Sequence, residues 1–117
     1  MQDNPIQRVD VDILQERMED IIPISIIRTI NDKLYHAASN GDGSYTMTVI
    51  EGESDFDDNA IKFKHAIIIY YERRGIHTEF SLSNDYTIIN QNNDKDVYEI
   101  TFSWLYTNWK NPKVSKL

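Results

Sequence analysis

The sequence predicts an α+β domain, a small and mostly antiparallel sheet of three to four strands with two or three helices packed on one face. Two observations carry that expectation. Residues 24–39 repeat apolar side chains at helical spacing, whereas Ser44–Ile50 and Tyr98–Trp104 alternate with the period of a strand. The order that results is helix, helix, strand, helix, strand, strand, strand. At 117 residues the chain holds one domain and is too short for two.

Residues 1–9 are polar, contain Pro5 and are expected to form an extended arm ahead of a domain at 10–106. From Asp10 the pattern turns helical, with Val11, Leu14, Met18 and Ile21 at i, i+3, i+7 and i+10 and Asp10 or Asp12 available as the cap. Pro23 interrupts it, and a second helix starts there. In that helix Ile26, Ile27, Ile30, Leu34, Ala37 and Ala38 fall within an arc of roughly 120°. Asn40-Gly41 supplies the left-handed stop.

Tyr45, Met47 and Val49 then share one face of a threonine-rich strand bounded by glycines. Glu51–Asp58 reads as an acidic loop, with Asp57 or Asp58 capping a segment over 59–74. As a helix, that segment gathers Phe63, Ala66, Ile67, Tyr70 and Tyr71 on one side and leaves Ile61, Ile68 and Ile69 opposite. As a strand, Ile67–Tyr71 would be a fully buried run. The length, the Asp cap and the ending Arg73-Arg74-Gly75 select the helix.

Ile76–Leu82 alternates as a strand, and the short run Tyr86–Ile89 offers a further one. In the last strand Tyr98, Ile100, Phe102 and Trp104 share a face. The order leaves room for a right-handed crossover over 44–82, with the first two strands parallel. The core is expected at Ile26, Ile30, Leu34, Ala37, Tyr45, Met47, Val49, Ile67, Phe80, Ile100 and Phe102. Residues 107–117 are a weakly basic tail.

Composition removes several functional classes. Lys and Arg number 12 against 19 Asp and Glu, a net charge of −7 that disfavours general nucleic-acid binding through phosphate neutralisation. The longest apolar run is the six residues Ala66–Tyr71, well below the roughly 20 that span a bilayer. Met1–Pro5 lacks the basic and apolar regions of a signal peptide. With no cysteine there is neither a disulfide nor a thiolate metal site. An intracellular setting is expected.

The motifs for chemistry are weak. The acidic run Glu51, Glu53, Asp55, Asp57 and Asp58 has irregular spacing and no loop glycine for a calcium site. Asn40-Gly41-Asp42-Gly43-Ser44 opens like a calcium loop but is read as a helix stop plus turn. His36, His65 and His77 show no i, i+4 spacing, and no H-E-x-x-H or phosphate-binding glycine loop occurs. No metal, cofactor or catalytic residue is assigned, and the chain is read as non-enzymatic. Arg73, Arg74, Lys62 and Lys64 are read as dipole complements and a solvated face, although Tyr70 and Tyr71 beside them could stack bases.

Thirteen aromatic residues, 11% of the chain, concentrate in 63–109. Most suit a core, but Trp109 lies past the last strand. With Ile61, Ile68 and Ile69 it is the candidate partner-binding set, since aromatic side chains are enriched at protein interfaces. The expected partner is another protein or a second copy of the chain in a homo-oligomer.

The stretch Ile30-x3-Leu34-x2-Ala37-Ala38-x-Asn40-Gly41 with Ser44-Tyr45-Thr46, the ending Tyr71-Glu72-Arg73-Arg74-Gly75-Ile76 and the closing Ile100-Thr101-Phe102-Ser103-Trp104 resemble small α/β accessory proteins of tailed bacteriophages. The resemblance covers 24–104, about two-thirds of the chain, and transfers no site residue. It implies an accessory protein in the host cytoplasm that binds and modulates a host or defence factor. The alternative it implies is a structural virion subunit. A small-ligand protein or an enzyme without a recognisable motif is the third possibility.

Overall fold

A computed structural model describes residues 9–92 and 94–105, so most of the predicted arm, the tail and Trp109 lie outside the described residues. The elements are α1 (Val11–Asp20), α2 (Ile24–Ser39), β1 (Ser44–Ile50), α3 (Asp55–Lys62), α4 (Lys64–Glu72), β2 (His77–Leu82), α5 (Tyr86–Gln91) and β3 (Val97–Ser103). The chain is α+β with a three-stranded antiparallel sheet in the order β1-β3-β2. The last strand is therefore central. β1 and β2 run in the same direction, as the crossover expectation has it, but β3 inserts between them as in a split β-α-β unit.

The ends of α2 follow its sequence. The helix starts directly after Pro23, ends at Asn40 and turns out through Gly41 at φ 89°. Its buried stripe is Ile26, Ile30, Leu34 and Ala37. α1 begins on Asp10, whose Oδ1 accepts from the Ile13 N–H at 3.0 Å. Gly43 is needed for close approach, because a Cβ there would lie 2.5 Å from the Leu105 Cβ. Its carbonyl accepts from the N–H groups of both Trp104 and Leu105.

Three expectations need correction. The segment 59–74 is two helices that begin earlier, at Ser54, whose Oγ accepts from the Asp57 N–H. They break at Phe63, with φ −103° and ψ 24°. One straight helix over the sheet would turn Ile61, Ile68 and Ile69 away from it. The break lets α3 lie against β1 with Ala60, while α4 lies against β2 with Ala66, Ile67 and Tyr71. Secondly, Tyr86–Ile89 forms no fourth strand. Asp85 Oδ1 accepts from the N–H groups of Thr87 and Ile88 and caps α5. The helices then number five, not two or three.

Cross-strand register sets the two faces. Met47 faces Ile100, which faces Phe80, and Tyr45 faces Phe102, which faces Thr78. These residues form the helix-covered side, where Val49, Ile100 and Phe102 are fully buried with Ile30 and Ile67 of the helices. Tyr45 and Phe80, expected in the core, are only partly buried against it. Tyr71, on the expected inner side of the segment, joins the core, its ring edge-on to Phe102 and its hydroxyl donating to Asn31 Oδ1 at 2.8 Å. Burial pushes that phenol's pKa up. The opposite face is a polar row in which Thr46 and Thr101 share a hydrogen bond of 3.0 Å.

Candidate functional site

The isoleucines singled out from the sequence do not form one outward patch. The break at Phe63 puts Ile61 on α3, where it packs against the core cluster, and leaves Ile68 and Ile69 on α4. All three are half-buried. α1 packs against α4. Ile68 borders a groove of about 290 Å³ with Lys64, Phe80, Leu82 and Tyr98.

The seat of α1 is electrostatic as much as apolar. Glu19, with a side chain only 12% exposed, receives Arg73 Nη1 at 2.6 Å and Arg74 Nη1 at 3.1 Å. Arg74 also lies over the Tyr70 ring, 3.6 Å from its centroid. A carboxylate shared by two guanidinium groups in a half-buried seam is a charge-assisted clamp. Arg73 and Arg74 thus do more than complement a helix end. Glu16 and Glu19 in α1 were the sequence signal for this pairing.

That seating turns much of α1's apolar stripe outward. Met18 packs against the core and Ile22 beyond the helix is buried, but no residue of α1 itself is buried. Val11, Leu14 and Ile21 are 66%, 53% and 59% exposed, and Val9 and Ile24 flank them at 61% and 67%. Five of the nine strongly exposed large apolar residues among the described residues lie in 9–24, so the exposure is concentrated rather than scattered. Asp10, Asp12, Glu16 and Asp20 stand exposed around them, with Arg17 as the one exposed cation of the helix.

A second concavity, of about 600 Å³, lies along α2, between Thr29, Asp32, Lys33 and His36 on the helix and Asp42 and Tyr45 at the start of β1. Among the described residues these charged side chains make no hydrogen bond or ion pair. His77 behaves differently: its ring nitrogens contact Glu72 at 3.0 Å and Glu79 at 2.8 Å. The bond to Glu79, with the nearby carboxylate charges adding, raises its pKa above the ordinary 6.5. His36 and His65 stand apart from it, and the acidic run is spent on local bonds, Asp57 to the Ile50 N–H and Asp58 to that of Gly52. No group of three or more His, Asp or Glu side chains among the described residues is placed to hold a metal ion. No helix among them is long and apolar enough to cross a membrane.

No family model, curated protein or solved structure matches this chain.

Proposed function

We propose that this chain is a non-enzymatic protein-binding domain, of the accessory kind that residues 24–104 resemble in tailed bacteriophages, acting on a host or defence factor. One observation carries the reading: the outward apolar row of α1, Val11 and Leu14, continued by Val9, Ile21 and Ile24. Burying each such side chain is worth roughly 1.5–3 kcal/mol, so the row favours association with an apolar groove. The carboxylates around it match a groove bordered by Lys or Arg. The Glu19 clamp holds the helix in place and leaves that side presented.

A photo-crosslinking residue at Leu14 tests this. It should capture one discrete host protein, whereas the same group at the exposed Thr87 on α5 should capture none. The purified pair should then lose at least about tenfold in affinity on Leu14→Asp/Ile21→Asp, with the circular dichroism spectrum unchanged. Full affinity in that variant would overturn the reading. Stoichiometric copies in purified particles, with no captured host protein, would replace it with the virion subunit.

A further inference from the structure

The two outer strands dispose of their outward main-chain groups differently. In the β1–β3 ladder, Glu51 N–H bonds to the Asp96 carbonyl and Trp104 N–H to that of Gly43. Antiparallel hydrogen bonds fall on alternate residue pairs, so Tyr45, Met47 and Val49 bond to β3, and Ser44, Thr46, Thr48 and Ile50 point their N–H and C=O groups off the sheet. Ile50 is satisfied locally: its N–H donates to Asp57 Oδ2 at 2.8 Å, and its carbonyl accepts from the Glu53 N–H at 3.1 Å. From Ser44 to Thr48 the outward groups have no partner among the described residues.

Native edge strands are usually blunted by charge, proline or a bulge. Ser44–Ile50 has none of these, and Ser44, Thr46 and Thr48 are all exposed. Space lies beside the strand as well. Asn31 on one flank of α2 reaches towards Tyr71 of α4, so the opposite flank, with Lys33 and His36, overlooks the outer edge of β1 and the 600 Å³ concavity there.

We propose that β1 pairs antiparallel with β1 of a second copy, about a twofold axis through Thr46, and joins two three-stranded sheets into one. The register that uses every outward group from Ser44 to Thr48 sets Thr46 opposite Thr46 and Ser44 opposite Thr48. Cross-strand hydroxyl pairs of this kind are favourable, and β1 brings no charge to repel its copy. The α2 flank suits itself too. It carries Asp32 beside Lys33 and His36, and a twofold axis turns that flank toward its own copy, where acid can meet base. Each chain carries −7 overall, so added salt should strengthen the pairing. This surface is separate from the outward row of α1 and stands or falls independently of it.

Sedimentation and amide exchange test it together. At high concentration the wild type should sediment at twice 13.7 kDa, and the Thr46 and Thr48 amides should exchange at least about tenfold more slowly than on dilution. The Tyr45 and Met47 amides, bonded to β3, should stay protected at every concentration. Thr46→Pro removes an N–H that the β3 ladder does not use, so it should fold and sediment as a monomer. Should that variant fail to fold, the wild-type concentration series decides. A wild-type monomer at its highest soluble concentration with fast Thr46 and Thr48 exchange would overturn the proposal. So would a folded Thr46→Pro dimer, or a monomer whose two amides are protected at every dilution, because another segment would then lie on the edge.

Discussion

β1 and β2 border the same central strand, yet among the described residues their outward groups are guarded at opposite ends, β2 at its start and β1 at its finish. Only β2 carries charge. On β2 the first outward N–H, that of Thr78, donates to Glu72 Oε2 at 2.8 Å, and the exposed face of the strand carries His77 and Glu79. On β1 the guard, Asp57, sits at the far end and protects only Ile50. The difference arises from the connections. α4 runs into β2 through a short turn, which brings Glu72 alongside the start of that strand. β1 is entered from α2 through Gly41 and Gly43, and its carboxylate comes from the helix that follows it. A guard supplied by a neighbouring helix covers the end nearest that helix, and among the described residues the entry to β1 has none.

The comparison breaks most completely if the shared centre is removed. Ile100 is fully buried between Met47 of one edge strand and Phe80 of the other. Ile100→Ala should cost about 2–5 kcal/mol in chemical denaturation. A loss below 1 kcal/mol, on that same scale, would mean that the two edges do not depend on one centre.

Removing each guard sharpens the contrast. Asp57→Ala strips the Ile50 N–H of a charged acceptor and should cost about 1–3 kcal/mol by urea unfolding, while extending the open edge of β1 to Ile50. Glu72→Ala acts on a more exposed carboxylate and should cost about 1 kcal/mol. Equal association of the two variants in sedimentation would show that the guards do not distinguish the edges.

The smallest effect concerns pH. The pKa of His77 is raised above 6.5 in the folded chain by its bond to Glu79 and by the Glu72 and Glu79 charges. The folded state therefore binds this proton more tightly than the unfolded one. Its stabilisation is complete below about pH 6.5 and disappears as pH rises through the folded value. The side chain is about half exposed, so solvent screening keeps the effect small. His77→Gln should flatten this part of the melting temperature against pH; an unchanged profile would remove His77 from the account of the β2 edge.

These contrasts were unevenly legible in the sequence. α2, β1, β2 and β3 each carry one clear period, and all four form. The α3–α4 break was hidden because α4 is apolar on nearly every side, so the combined 59–74 pattern reads as one helix with a surplus face. α5 was masked by the β-favouring run Tyr86-Thr87-Ile88-Ile89, which the Asp85 cap overrides. The Val11, Leu14, Met18 and Ile21 stripe was visible, but its outward turn depends on how the Glu19 clamp seats α1 on α4. The open edge depends on strand order: until β3 is known to be central, nothing marks Ser44–Thr48 as an edge, although its lack of charge was there to see.

The measurement that tests the edge contrast most directly is disulfide capture, because the chain contains no cysteine of its own. Thr46→Cys places one thiol on the twofold axis, where facing residues of a hydrogen-bonded pair have Cα atoms about 5.5 Å apart, within disulfide reach. Leu82→Cys places one at the other edge. Under mild oxidation Thr46→Cys should give a linked dimer on a non-reducing gel and Leu82→Cys should stay monomeric. Equal yields from the two variants, or none from Thr46→Cys, would contradict the account.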